Sequence, residues 1–149
     1  MNVVVFGATG YLGSHTAEQL SREGYRVICV VRASSDTAFL ETLDVEICTA
    51  DFSSTEQLSG FIAAGDIVVN CTAETRMHLS DAQRHIVEVE LTSRLFSAAK
   101  KSAAKRFVQL STVMIYGFDR PKSAIDESFP VKPKHSYSRY AQLRESTLL

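Results

Sequence analysis

The chain has 149 residues, 45% of them hydrophobic and 22% charged, a balance that fits one soluble globular domain and excludes a disordered or fibrous chain. Its 16 basic and 17 acidic residues leave a formal net charge of -1 with no block of like charge, so a nucleic-acid partner is not expected. The apolar runs are short and broken by Gly, Asp or Arg, which leaves no segment long enough to span a bilayer, and the start MNVVVFGATG has neither the basic region nor the cleavage site of a secretory signal. A cytoplasmic location without a membrane partner is the expectation.

Cys29, Cys48 and Cys71 lie in or beside apolar runs, far from any CxxC or Cys/His spacing, and read as buried reduced thiols. His15, His78, His85 and His135 are scattered without ligand spacing, so no metal site is expected.

Along the chain, strand-like and helix-like patterns alternate, which is the mark of a parallel sheet with crossover helices. Asn2 to Phe6 reads as a buried central strand, and a glycine loop follows it. From Leu12 to Glu23 the positions Leu12, Ala17 and Leu20 share one helical face, with Gly24 placed for a C-cap. Arg26 to Val31 reads as the second strand, Asp36 to Leu43 as a short helix, and Val45 to Thr49 as the third strand. A helix over Thr55 to Ile62 takes Ser53 or Ser54 as its cap. Asp66 to Asn70 is the fourth strand. A long helix is predicted from Asp81 to Lys101, because Ser80 and Gln83 have capping-box spacing and Val87, Leu91, Leu95 and Ala99 recur every fourth residue. Arg106 to Leu110 is the fifth strand, a loop rich in Pro and Lys runs from about Gly117 to Ser136, and a last helix begins near Tyr137.

The fold class is therefore α/β: a three-layer, doubly wound parallel sheet of about five strands. Residues 1–149 read as one domain. The full doubly wound fold has six strands, so the expectation is a chain cut short at its C-terminus, or a partner that covers the open edge.

The loop Gly7-Ala8-Thr9-Gly10-Tyr11-Leu12-Gly13 lies between a strand and a helix, the context that gives a glycine pattern its mechanism. Gly7 permits the tight turn, Gly10 lets a pyrophosphate approach the backbone, and Gly13 lets the helix pack on the strand. Amides around Thr9, Tyr11 and Leu12, at the positive end of the helix dipole, are placed to hold phosphates. The ribose-reading position at the end of the second strand carries Arg32, beside Ser34 and Ser35. A guanidinium pairs with a 2'-phosphate, which favours NADP over NAD, although Asp36 is also within reach of a ribose. Asp51 and Phe52 end the third strand, where the carboxylate can accept from an adenine amino group. After the fourth strand, Thr72 and Ala73 leave room for ribose and nicotinamide.

GATGYLG, the VVR ending of the second strand, DFS after the third, NCTA after the fourth and STVMIYG after the fifth occur in one order over the whole chain. In this the sequence resembles the extended short-chain dehydrogenase/reductase family, among its NAD(P)-dependent epimerase/dehydratase-like and reductase-like members. The resemblance implies a Rossmann domain followed by a smaller substrate domain, which this sequence does not include. It implies catalysis by a Ser/Thr, a Tyr and a Lys on a carbonyl, alcohol or nucleotide-sugar substrate, and packing as a homodimer. Thr112, preceded by Ser111, matches the residue that polarises the substrate oxygen. Tyr137 matches the tyrosine that exchanges a proton with that oxygen, since Glu145 then falls on a family glutamate.

Two positions depart from the family pattern. With Tyr137 in register, the lysine that lowers the tyrosine's pKa from about 10 is replaced by Ala141; a shift of register to Tyr140 puts Arg144 four residues on. In the long helix, Glu88 stands where members carry an asparagine. The function expected is an NADP-preferring oxidoreductase or epimerase-like enzyme. The alternative is a nucleotide-binding module or pseudoenzyme without turnover, and a third reading is a Rossmann domain for another nucleotide or a flavin.

Overall fold

The structure, a computed structural model, describes residues 1–76, 78–118 and 124–149. β-Branched side chains dominate the apolar runs, and the runs become the strands of one sheet. β1 (Val3–Phe6) and β2 (Val27–Val31) are buried throughout, and β4 (Ile67–Asn70) nearly so. β3 (Glu46–Thr49) and β5 (Arg106–Gln109) keep exposed positions and form the two edges. Every pairing is parallel and the order is β3-β2-β1-β4-β5. The order therefore reverses at β1, which opens a crevice outside the carboxyl ends of β1 and β4.

Alternate side chains of each strand feed two cores. Val4, Phe6, Ile28, Val30 and Val68 pack on one face with Leu58 of α2 (Thr55–Gly60) and with Leu95, Ala98 and Ala99 of α4 (Thr92–Lys101). Val3, Val5, Val27, Cys29 and Val31 pack on the other with Ala17 of α1 (Tyr11–Arg22) and with Leu40. Burying each valine or leucine contributes about 1.5–3 kcal/mol, and the two cores make the sheet the middle of three layers. The doubly wound α/β class expected from the pattern is the one observed.

Local signals explain the helix ends. α1 stops where Gly24 takes φ +81, with the Gly24 and Tyr25 amides bonded back to the Ser21 and Leu20 carbonyls. Ser54, rather than Ser53, caps α2 by accepting from the Gln57 amide. Ser80 and Gln83 form the capping box of α3 (Asp81–His85).

Two expected helices take other forms. Over Asp36 to Leu43 only the 3-10 turn Leu40–Thr42 is found. The Asp36 carboxylate accepts from the Ala38 amide and the Thr37 hydroxyl donates to Glu41, while Phe39 stays exposed, so side-chain bonds compete with the helix and no apolar stripe is buried. The long helix from Asp81 to Lys101 is one rod, but Ile86–Leu91 within it is a π-turn joining α3 to α4. Beyond β5 come the 3-10 turn Val113–Tyr116 and α5 (Ser136–Ser146). The expected Pro- and Lys-rich loop between them lies partly outside the described residues. Among the described residues, no helix is long and apolar enough to cross a membrane, and no cluster of His, Cys, Asp and Glu could hold a metal ion.

Candidate functional site

The three loop glycines differ in what surrounds them. Gly7 has φ +79, and a Cβ there would lie 2.8 Å from the Cys71 carbonyl carbon and from the Thr72 nitrogen. At Gly13 a Cβ would lie 2.1 Å from the Gly7 carbonyl oxygen, so only glycine lets α1 return over the loop. Gly10 is exposed and extended, and a Cβ there would make one ordinary contact of 3.4 Å. The protein's own packing demands glycine at 7 and 13; at 10 the free space is available to a group from outside the chain. No side chain caps α1 and no acid stands in its first turn, so its leading N–H groups remain as donors for an anion. Thr9, Tyr11 and Leu12 are exposed around this terminus, while Gly13 is buried beneath it.

This loop floors a cavity of about 770 Å³ at the carboxyl ends of the strands. One end is walled by Arg32, Ser35, Phe52 and Ser53, the other by the segment from Cys71 to Arg76, with Leu91 and Arg94 between them on the helical rod. A smaller depression of about 450 Å³ beside Tyr25 and Glu46 lies away from the glycine loop. The residues present fit a dinucleotide: an open glycine at an uncapped helix start, in a cavity crossing the strand-order reversal.

Arg32 is exposed, and its guanidinium makes no ion pair among the described residues. Phe52 is half-buried, set edge-on to Phe6 with ring centroids 6.0 Å apart. The Asp51 carboxylate lies outside the cavity lining and accepts from the Ser53 amide and hydroxyl, bonds that hold its carboxyl below the usual range. Thr72 and Ala73 line the cavity; the Thr72 amide and hydroxyl both donate to Asn70.

Thr112 and Tyr137 lie outside this lining. Thr112 caps the turn Val113–Tyr116, its Oγ1 accepting from the Met114 amide at 3.3 Å, and α5, which carries Tyr137, packs against that turn. Ser111 donates to Glu145 of α5. The ring of Tyr137 faces the Arg84 guanidinium, 6.0 Å from carbon to centroid, and Tyr140 meets His85 edge-on at 6.0 Å.

Ala141 and Arg144 share the buried face of α5. Arg144, 2% exposed, donates from Nη1 to Oε2 of Glu88 at 2.5 Å and to the Thr72 carbonyl at 3.3 Å. Glu88, 1% exposed, accepts at Oε1 from the Glu74 amide at 2.6 Å. Arg84, equally buried, donates to the Glu74 carbonyl and, at 2.7 Å, to the Arg76 carbonyl. Of the two departures from the family pattern, Glu88 belongs to this buried network, while Ala141 is a buried methyl on the same face of α5 as Arg144. Arg76 clasps the Glu74 carboxylate with two bonds, at 2.9 and 2.6 Å, and so holds its carboxyl below the ordinary range. Glu74, Arg76, Arg84 and Arg94 were not expected at the site. Their spacing matches no motif, and only the capping box upstream of Arg84 marked that stretch.

A parallel sheet with crossover helices, a reversal of strand order, and a glycine-lined helix start at that reversal define a Rossmann-type α/β domain. The chain belongs to the NAD dependent epimerase/dehydratase family, which it matches over residues 3–147. It is 28% identical over 127 residues to the chloroplastic divinyl chlorophyllide a 8-vinyl-reductase of Arabidopsis thaliana, an alignment that covers 77% of this chain and 30% of that protein. To the photosystem II assembly factor Ycf39 of Synechocystis it is 32% identical over 112 residues, covering 74% of this chain and 33% of the factor. Its fold is similar to that of a UDP-glucose-4-epimerase from Stenotrophomonas maltophila solved with bound NAD and formylated UDP-arabinopyranose: TM-score 0.88, 22% identity, 99% of this chain and 47% of the epimerase. The chain spans less than half the length of each of these relatives.

Proposed function

We propose that the chain binds a nicotinamide dinucleotide across the cavity and belongs to an NAD(P)-dependent oxidoreductase or nucleotide-sugar epimerase/dehydratase-like protein. The observation that carries this reading is Gly10, a glycine that packing does not require, at an uncapped helix start in the crevice. The amides of Thr9, Tyr11 and Leu12 hold the pyrophosphate, while that of Gly10 donates within the loop to the Gly7 carbonyl. Phe52 and Ser53 flank the adenosine half, Arg32 pairs with a 2'-phosphate, and Thr72 and Ala73 face the nicotinamide half. Asp51 shapes the adenine end through its turn with Ser53. When bound, the nicotinamide supplies hydride chemistry. Thr112, whose hydroxyl hydrogen is not used in its capping bond, donates to a substrate oxygen, and Tyr137 exchanges a proton there.

A second reading, nucleotide binding without turnover, is favoured by Ala141: the lysine position is filled by a buried methyl group, and Arg144 on the same face is engaged by Glu88. Titration with NADPH and NADH, followed by addition of carbonyl and nucleotide-sugar substrates, separates the two. Arg32→Ala is expected to weaken NADPH by about tenfold and leave NADH unchanged; equal loss of both refutes the phosphate-reading role. Tight binding with no turnover on any substrate selects the second reading.

A further inference from the structure

The wall of the cavity at the β4 end is a stretch without regular structure, Cys71 to Arg76. Its backbone is nevertheless bonded at four points to buried charged side chains from two separate helical segments. The Thr72 carbonyl accepts from Arg144 of α5, the Glu74 amide donates to Glu88 of the π-turn, and the Glu74 and Arg76 carbonyls accept from Arg84 of α3. Arg144 and Glu88 then close on each other. Arg84, Glu88 and Thr92 recur every fourth residue along the rod, which keeps them on one side of it, and all three are buried.

We infer that Glu88 and Arg144, with Arg84, are positioning residues: their buried ion pair fixes the Thr72–Arg76 wall and so sets the affinity for the nicotinamide half of the ligand. None of the three has to touch the ligand; each acts through the backbone it holds. The inference rests on the nucleotide-binding reading above. Arg32, Phe52 and Ser53, which wall the adenosine half, lie across the strand-order reversal from the Cys71–Arg76 wall. The two halves of the ligand are therefore expected to respond differently when the pair is lost.

The test compares the tighter-binding of NADPH and NADH with its adenosine half alone, adenosine 2',5'-bisphosphate or ADP, on wild type and on Glu88→Met/Arg144→Met. The paired apolar replacement leaves no lone buried charge and is the variant best able to keep its fold. Thermal unfolding is measured alongside. The expected result is a loss of about tenfold for the dinucleotide with the adenosine half bound as before. Arg144→Lys keeps a charge facing Glu88 but replaces Nη1, the one nitrogen that donates to both Glu88 and the Thr72 carbonyl, with the ammonium of a shorter side chain, and is expected to show a smaller loss with the same split, so the inference stays testable if the double variant does not fold. Unchanged dinucleotide binding in a folded variant, or equal loss for both ligands, overturns it. Wild type that binds neither dinucleotide overturns the nucleotide reading, and this inference with it.

Discussion

Gly7, Gly10 and Gly13 follow one another at regular intervals yet carry different loads. Their spacing is legible in the sequence; the difference between them is not, because it depends on what stands opposite each missing Cβ. Opposite Gly13 is a backbone carbonyl, so Gly13→Ala is expected to lower stability by about 2–3 kcal/mol, read as a fall in the urea midpoint. Opposite Gly10 a Cβ would meet only the Gly7 carbonyl oxygen, at an ordinary 3.4 Å, so Gly10→Ala is expected to leave that midpoint in place while nucleotide affinity drops. A Gly10→Ala protein that unfolds as early as Gly13→Ala refutes the division. The cysteines follow a simpler rule. Burial pushes the Cys29 thiol up to about 12 and moves Cys48 and Cys71 in the same direction, so all three stay protonated near neutral pH; of the three thiols expected to be buried, Cys29 is, while Cys48 and Cys71 are only partly so.

Elements with a strong local signal formed as their sequences imply: the valine-rich strands, the helix ending at Gly24, the capping box at Ser80. Where side chains compete locally, as at Asp36 and Thr37, the pattern over-reads a helix. The π-turn was illegible for a different reason, since an α-helix and a π-turn share the same apolar spacing over so short a stretch. Elements are also joined by single groups, and Asp66 is one. Buried at the start of β4, its carboxylate accepts from the Asn2 amide at 2.7 Å, the Asn2 side chain at 3.2 Å and the Ala63 amide at 3.0 Å, tying β1 and the preceding turn to β4. Burial pushes its carboxyl upward, but these bonds outweigh it and the net shift is below the ordinary 3.8. A carboxyl lowered by folding contributes stability that is complete above its unfolded value, about pH 4, and is lost as pH falls through the lower folded value. Urea midpoints are therefore expected to hold between about pH 7 and pH 5 and to fall below about pH 4, and Asp66→Asn to flatten part of that acid-side fall. An unchanged slope in the variant would count against Asp66 as a source.

At the scale of the whole molecule, the doubly wound parallel sheet was legible because alternating strands and helices allow few topologies. The network behind the cavity was not: Glu88 and Arg144 stand 56 residues apart, and no local pattern announces that a carboxylate on one helix will find a guanidinium on another. The family resemblance marked positions 88 and 141 as departures; only the fold showed that Glu88 is paired with Arg144. A ligand that spans both halves of the sheet binds the folded chain alone, so NADPH at about a hundred times its Kd is expected to add about 2.7 kcal/mol and raise the unfolding temperature by roughly 5–10 °C. A thermal scan with no shift at saturating NADPH would contradict the proposed ligand.

The stretch from Thr72 to Arg76 is irregular in shape but already anchored along its backbone. A segment held in this way has little conformational entropy left to lose when a ligand arrives. For the dinucleotide proposed above, association is then expected to need no closing motion at that wall, and changes in the wall are expected to act on residence time more than on the association rate.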